Sequence, residues 1–289
     1  MARYELRYPG FRTKALTLSY DDGPTEDIRV VDILNRYGIK GTFNLNGGRY
    51  DGKASRPKKA DGSEFYLDAQ QVKELYIPSG HEVAAHTATH PMPDQLADGG
   101  AVWEFAHDRE TLEELTGTIV RGMAYPYGPP DERMAESARQ CGLAYGRVGG
   151  GTHGFALPTD WMRWKPTCRH ADPELEALCQ RFLRANRPWQ LLLFSMWGHS
   201  YEFTDANNWE VLENFCRTMG GWEDIWYATN IEICDYMAAV RQLRTSMDGS
   251  RLYNPTATTL YLRTGGEDVT LQTQREDIAL APGQTLEIR

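Results

Sequence analysis

The sequence predicts a parallel α/β fold, built either as an open doubly wound sheet or as a closed barrel. From residue 14 to about residue 246, short apolar runs alternate with longer amphipathic ones, which is typical of strands joined by crossover helices. In addition, the chemically reactive residues fall where the apolar runs end. The carboxyl ends of parallel strands open onto one face, so these residues are expected to meet there.

The individual elements follow from residue periodicity. In DIRVVDILNRYG, Val30, Val31 and Leu34 share one helical face, and Gly38 can end the helix. The other predicted helices are DAQQVKELYIPSG, VWEFAHDRETLEELTG, DPELEALCQRFLRAN, NWEVLENFCRTMG and TNIEICDYMAAVRQL. The predicted strands are KALTLSY, GTFNLN, HEVAA, GMAYPYG, WQLLLFSM and DIWYA.

Two domains of unequal size are predicted. Residues 1–248 form the α/β domain, and residues 249–289, which alternate apolar and polar positions around glycine turns, form a small antiparallel β extension packed on it. Residues 47–66 are rich in glycine, lysine and aspartate and are expected to form a surface loop. The sequence gives no role for this insert or for the extension.

The composition excludes some classes of partner. Apolar residues make up 41% of the chain, enough for a sizeable core, and no apolar run reaches the length of a membrane span. Acidic residues outnumber basic ones by 40 to 31, for a formal charge of −9. We therefore expect neither nucleic acid nor a membrane as a partner, and the oligomeric state stays open.

Cysteine usage and the first residues bear on location. The chain has five cysteines, an odd number, and no CxxC spacing, which favours reduced core thiols over a disulfide framework. The opening MARYELRYPGFR lacks the apolar stretch of a signal peptide. A cytoplasmic location is expected, with a secreted mature form as the alternative.

Two adjacent carboxylates and two histidines indicate a metal site. Asp21 and Asp22 directly follow a predicted strand, where their charges repel unless water or a cation intervenes. His86 and His90 are four residues apart, close enough to share a cation. One aspartate would complete a three-ligand site with open positions for water and substrate, and the other would remain free as a base.

Each fragment also has a simpler interpretation when taken alone. DDG is common in turns, and HTATH could be two packed or surface histidines. His199 could be a hydrogen-bonded core residue, and Asp160 could cap a turn. The remaining histidines, His81, His107, His153 and His170, are interpreted as structural or surface residues.

Taken in order, five segments resemble the motifs of the polysaccharide deacetylase family, the NodB-homology or carbohydrate esterase family 4 group. They are SYDDGP, HTATHP, RGMAYPYG, TDW and the histidine of LLLFSMWGHS, spread over roughly residues 14–240. The resemblance implies a distorted (β/α) barrel that removes N-acetyl groups from an amino sugar or glycan. It also implies a divalent metal, most often zinc, with cobalt, nickel or manganese as alternatives.

The resemblance also assigns roles to individual residues. Asp21 would be the general base, with Asp22, His86 and His90 as metal ligands. His199 would protonate the departing amine. The supporting residues would be Arg121 beside the base, Asp160 orienting His199, the Tyr127 backbone N–H at the oxyanion, Trp161 in the pocket wall, and Tyr127 and Glu202 in contact with substrate. Arg121 lies farther from Pro126 than in the compact form of its motif.

Two other functions are compatible with the same residues. The chain could hydrolyse a small cyclic amide or ureide on the same scaffold without a metal. It could also be a carbohydrate-binding protein that has lost turnover, although neither the base nor a ligand is missing. The sequence does not fix the sugar or its chain length.

Overall fold

A computed structural model describes residues 4–52, 57–92, 96, 99–187, 189–265 and 276–288 of the chain. Its helices are α1 (Asp27–Arg36), α2 (Ala69–Tyr76), α3 (Gly100–Thr116), α4 (Glu132–Gln140), α5 (Leu175–Arg184), α6 (Tyr201–Asp205), α7 (Glu210–Met219) and α8 (Asn230–Val240). Its strands are β1 (Tyr4–Arg7), β2 (Lys14–Asp21), β3 (Gly41–Leu45), β4 (Glu82–Ala85), β5 (Gly122–Ala124), β6 (Tyr145–Arg147), β7 (Cys168–Arg169), β8 (Leu192–Gly198), β9 (Ile225–Tyr227), β10 (Arg244–Thr245), β11 (Arg251–Tyr253), β12 (Leu260–Thr264), β13 (Glu276–Leu280) and β14 (Thr285–Glu287).

A parallel sheet of eight described strands forms the centre of the molecule. The strand order is β6-β5-β4-β3-β2-β8-β7, and β9 pairs with the first half of β2. Every pairing in this sheet is parallel, as the alternation of strands and helices predicts.

Residues 164–169 bring the two edges of this sheet together. On one side, Trp164 N–H donates to Gly146 O over 2.9 Å, beside β6. On the other, Thr167 N–H donates to Ser195 O over 2.8 Å, on β8. The sheet therefore curls into a distorted (β/α) barrel, and the predicted fold class is confirmed.

The central strand is buried on both faces, although half of its residues are polar. All eight residues of β2 are buried, including Lys14 and Asp21 at its two ends. Helices pack their apolar faces around the barrel: Val30, Val31 and Leu34 of α1 are buried, as the periodicity predicts. This packing fixes the strand ends that carry the reactive residues.

The C-terminal extension contains short antiparallel strands, as predicted. One sheet has the order β1-β12-β13 and another β10-β11-β14. The N-terminal strand β1 thus belongs to the extension's sheet, although the predicted boundary assigns it to the barrel. Tyr236 of α8 bridges the two parts, since its hydroxyl accepts from Tyr261 N–H over 3.1 Å and donates to Arg7 O over 2.5 Å. Residues 53–56 of the insert and residues 266–275 and 289 of the extension lie outside the described part.

Within the described ranges, no helix combines the length and apolar character needed to cross a membrane. All five cysteines are free thiols, four of them buried. The buried position of Cys179 and Cys216 on their helices agrees with the expectation of core thiols. Location stays a prediction.

Candidate active site and metal centre

The carboxyl ends of the barrel strands share one open pocket of about 780 Å³. Asp21 ends β2, His86 follows β4, and His199 follows β8. All three line this pocket. Asp22, which directly follows Asp21, and His90, four residues after His86, line it as well. The structure therefore brings together residues that are up to 178 positions apart in the sequence.

Asp22, His86 and His90 form the candidate metal centre. Oδ1 of Asp22 lies 3.8 Å from Nε2 of His86 and 3.7 Å from Nε2 of His90. One ligand atom from each residue lies within 4.8 Å of the others. Ligands of one first-row divalent cation are roughly 3 to 3.5 Å apart, so a small inward movement would close the site.

The protonation of the two histidines suits a metal ligand. Nδ1 of His86 lies 2.8 Å from Ala124 O, which can only accept, so Nδ1 carries a hydrogen and the ring can bind a cation through Nε2, which faces Asp22. Burial, with a contribution from His86, lowers the pKa of His90 to about 4, so that His90 is neutral at pH 7. A carboxylate and two neutral imidazoles are the donor set that Zn²⁺ and its neighbours accept.

Helix α3 holds the histidine loop in place. Buried Asp108 accepts hydrogen bonds from His86 N–H over 2.8 Å and from Gly47 N–H over 2.5 Å. Glu104, one turn earlier, accepts from Thr89 N–H over 2.9 Å. Neither acid was predicted to support the site; the only signal in the sequence is their spacing of four residues, which places them together on the helical face of Ala101, Phe105 and Leu112.

Three residues of the site adopt left-handed backbone conformations that non-glycine residues seldom take: Asp22 (φ 77°), His90 (φ 56°) and Tyr127 (φ 62°). In the described part of the chain, nothing accepts a hydrogen bond from the Tyr127 N–H. This N–H could therefore donate to a substrate oxygen, and its role at the oxyanion stays a prediction. The Tyr127 side chain is mostly exposed and its ring centre lies 4.8 Å from that of His90.

Asp21 lies beside the metal centre and is held as a carboxylate. Its Oδ1 accepts from Asn44 Nδ2 over 2.9 Å and from the guanidinium of Arg147. Burial opposes ionisation, but Arg147, His86 and His199 together keep the pKa of Asp21 below its usual value. Asp21 can therefore accept a proton from a water molecule at neutral pH.

The predicted place of Arg121 beside Asp21 is wrong. Arg121 immediately precedes β5, at the amino end of that strand, so it lies at the opposite end of the barrel from the site. It pairs there with Asp235 of α8. Arg147, at the carboxyl end of β6, takes the position beside the base.

His199 faces the two aspartates across the pocket. Its Nε2 lies 3.9 Å from Oδ2 of Asp21 and 3.9 Å from Oδ2 of Asp22. Nδ1 lies 2.9 Å from Oε1 of Glu202, and because a carboxylate only accepts, Nδ1 is the donor. Burial favours the neutral ring, but Glu202 and the aspartates raise the pKa of His199 overall.

Two more basic side chains hold Glu202. The Arg169 guanidinium donates to Oε1, and Nε2 of buried His170 lies 3.0 Å from Oε2. Burial works against the charge of Glu202, but His170, His199 and Arg169 bring its pKa well below the usual range. Glu202 is thus held by basic side chains of the protein and is not among the residues that line the pocket, and its contact with substrate stays a prediction.

The predicted roles of Asp160 and Trp161 are also wrong. Asp160 accepts from Met162 N–H over 2.9 Å and from Arg163 Nη1 over 2.9 Å, so it caps a turn instead of orienting His199. Trp161 is 7% exposed and its ring packs 5.3 Å from that of Trp164 in the core. Trp197 lines the pocket instead, held by a 2.8 Å hydrogen bond from Nε1 to Gly150 O.

A buried carboxylate, an Asp-His-His cluster that could hold a cation and a facing histidine at the carboxyl end of a parallel barrel are the groups that metal-dependent hydrolases use. Residues 9–146 match the family model described as polysaccharide deacetylase. The match covers just under half of the chain, and it supports the resemblance to the NodB-homology or carbohydrate esterase family 4 group.

Individual relatives agree. Chitin deacetylase 1 of Cryptococcus neoformans var. grubii is 31% identical over 127 residues, which cover 44% of this chain and 24% of that protein. A chitooligosaccharide deacetylase of Sinorhizobium fredii is 25% identical over 193 residues, covering 64% of this chain and 73% of the relative. A putative polysaccharide deacetylase structure from Mycobacterium smegmatis aligns with a TM-score of 0.58 at 15% identity, over 83% of this chain and 96% of the other. The relatives are named as carbohydrate deacetylases, and the likeness to the solved structure shows the fold.

Proposed function

We propose that the protein is a metal-dependent carbohydrate N-deacetylase that hydrolyses the N-acetyl group of an amino sugar or glycan to acetate and a free amine. The observation that carries this proposal is the meeting of Asp21, the Asp22-His86-His90 triad and His199 within one pocket. The named activities of the fungal and rhizobial relatives support the same class of substrate.

The triad would hold a divalent cation, with zinc favoured and cobalt, nickel or manganese as alternatives. When bound, such an ion polarises an amide carbonyl and makes water a better nucleophile at neutral pH. The left-handed backbone at Asp22 and His90 aims their side chains at a common point with His86.

The remaining steps fall to side chains and one backbone amide. Asp21 takes the proton of the attacking water, and Arg147 and Asn44 keep its carboxylate ionised and oriented. The Tyr127 N–H donates to the oxygen that gains negative charge as the carbonyl carbon becomes tetrahedral. His199 then delivers a proton to the nitrogen as the C–N bond breaks, while Glu202 fixes its ring.

Elemental analysis combined with an acetate assay tests the proposal. We expect about one equivalent of a divalent transition metal per chain and acetate release from N-acetylated chitooligosaccharides. His86→Ala and His90→Ala should lose both metal and activity. His107→Ala is the matched control, since His107 lies on α3 outside the pocket.

Other results would point elsewhere. Turnover of a cyclic amide by metal-free protein would favour the metal-independent hydrolase. Tight glycan binding by metal-loaded protein without acetate release would favour a carbohydrate-binding protein. Either result would overturn the proposed function.

A further inference from the structure

The wall of the pocket carries a positively charged side chain to which the proposed mechanism gives no role. Arg49 lies in the short helical turn Gly47–Arg49 after β3 and lines the same pocket as the metal centre. This turn begins the insert at residues 47–66.

Arg49 is fixed relative to the histidine loop. Its Nε donates to Asn46 Oδ1 over 3.0 Å, and its guanidinium carbon lies 3.6 Å from the ring centre of Tyr66. Asn46 is fully buried and donates in turn to His86 O over 2.7 Å and Thr87 O over 2.9 Å. One amide side chain thus ties the guanidinium to the loop that carries the candidate metal ligands.

Within the described part of the chain, Arg49 has no carboxylate partner, unlike the other arginines near the site. Arg147 pairs with Asp21, and Arg169 pairs with Glu202. Among the described residues, no carboxylate lies within 4 Å of the Arg49 guanidinium, although the side chain is half-buried. A half-buried guanidinium that borders a pocket is suited to a partner supplied by the ligand.

The net charge of the pocket also favours a ligand with a negative group. Its lining has two carboxylates, Asp21 and Asp22, and two guanidinium groups, Arg49 and Arg147, which cancel when the histidines are neutral. A divalent cation makes the pocket positive, in a chain whose formal charge is −9. The electrostatic field at the site therefore favours an anionic substrate, although the net charge of the whole chain is negative.

We propose that Arg49 binds a carboxylate of the substrate, so that the preferred substrate is an acidic N-acetylated amino sugar. The inference rests on the proposed deacetylase function and narrows its substrate class. A planar guanidinium stacked on an aromatic ring presents its terminal N–H groups as a fork, which matches the two oxygens of a carboxylate. Tyr66, Tyr127 and Tyr201 supply phenol groups and ring faces around the same pocket for the neutral part of the sugar.

Matched sugars test the inference directly. The probes are N-acetylglucosamine oligosaccharides and the same compounds carrying one carboxylate, introduced either by oxidation at C6 or as a 3-O-lactyl ether. We expect the wild-type protein to favour one acidic form by roughly 10- to 100-fold in kcat/KM, the range of a charge-assisted hydrogen bond. Arg49→Gln should abolish that preference.

Two further variants separate charge from shape. Arg49→Lys keeps the charge but loses the fork, and should retain only part of the preference. Arg29→Gln makes the same change in net charge at an exposed arginine that stacks 4.3 Å from Trp209, outside the pocket, and should keep the full preference.

Binding distinguishes failure of this inference from failure of the proposed function. Calorimetry with metal-loaded Asp21→Asn protein, with and without Arg49→Gln, measures the affinity for acidic and neutral sugars when turnover is suppressed. Acid-selective binding that depends on Arg49 supports the inference even if no acetate is released. Equal affinity for both sugars, selectivity that survives Arg49→Gln, or equal binding of a 6-phosphate would overturn the assignment to a carboxylate.

Discussion

Nδ1 of His199 lies 2.9 Å from Oε1 of Glu202, which comes three residues later in the first turn of α6. The carboxylate that orients this histidine is therefore supplied by the same loop, because residues i and i+3 lie side by side on a helical turn. Nε2 is left facing Asp21 and Asp22, 3.9 Å from each. The histidine and its orienting group thus move as one unit relative to the metal centre.

Replacing Glu202 by Gln should lower kcat by roughly 10- to 100-fold with little change in KM, because the ring loses its orienting carboxylate but substrate contacts stay. Asp160→Asn is the matched control and should stay within about twofold of wild type, since Asp160 pairs with Arg163. Steady-state acetate release at saturating metal measures both. A large effect at Asp160 with none at Glu202 would contradict the structure.

Replacing Arg147 by Gln should lower kcat/KM by roughly 100-fold, because the buried carboxylate of Asp21 loses its cation and its pKa rises. Arg121→Gln should have an effect of less than about threefold, since Arg121 and Asp235 form a partly exposed pair. Kinetics should be read alongside denaturant unfolding, because an unpaired buried charge also costs stability. Arg147→Lys, which keeps the charge, should recover part of the activity if charge is what Asp21 needs.

Much of the barrel could be predicted from the sequence because its long elements have strong periodic patterns. Strand β8 is an almost continuous apolar run, and α1 buries the predicted face. The metal site could be predicted because its ligands are sequence neighbours of those strands. Asp22 follows β2 directly, and His86 and His90 share one loop after β4.

Arg147 and Glu202 could not be assigned in the same way. Strand β6 has only three residues, Tyr145–Arg147, and Gly146 at its centre removes any apolar pattern, so nothing marked Arg147 as lying at a strand end. Arg121 has a basic side chain near the right motif, but it precedes its strand instead of following it. Glu202 lies in the segment GHSYEF, but the sequence does not show where its side chain points. The helical turn at α6 directs it back to His199.

His170, interpreted from the sequence as a structural residue, also supports the pair formed by His199 and Glu202. Its ring stacks 4.2 Å from Phe203, packs tightly against Gly198, and places Nε2 3.0 Å from Glu202 Oε2. We expect His170→Phe, which fits among these aromatic neighbours, to lower kcat by roughly tenfold while KM and metal content stay unchanged. His170→Gln, which restores an N–H donor, should recover much of the loss. Equal loss in both variants would indicate a packing role only.

Asp21→Asn should reduce kcat by at least about 100-fold while metal content stays at the wild-type level, because the amide cannot take a proton from water and is not one of the three clustered ligands. Single-turnover acetate release and elemental analysis of the same sample measure the two quantities together. Undiminished turnover would remove Asp21 as the base, and loss of metal would mean that it is a ligand.

Asp27 gives the protein a pH-dependent stability that is separate from catalysis. This residue is fully buried, and its oxygens accept from Ser200 Oγ over 2.5 Å and from Tyr76 Oη over 2.6 Å. Burial raises the pKa of Asp27 to about 7, although the two hydroxyl groups partly oppose the shift. In the unfolded chain the same carboxyl has an ordinary pKa near 3.8.

Between pH 4 and 7, the unfolded state therefore releases a proton that the folded state keeps, and the free energy of unfolding falls as pH rises through this window. Asp27→Asn cannot ionise, so its stability relative to wild type should increase by roughly 2 kcal/mol between pH 5 and pH 7 and then level off. Urea unfolding at a series of pH values measures this difference. Asp32→Asn, an exposed position on the same helix, is the charge-matched control and should show no such trend. A constant difference between Asp27→Asn and wild type across pH 5–7 would show that Asp27 is ionised in the folded protein throughout.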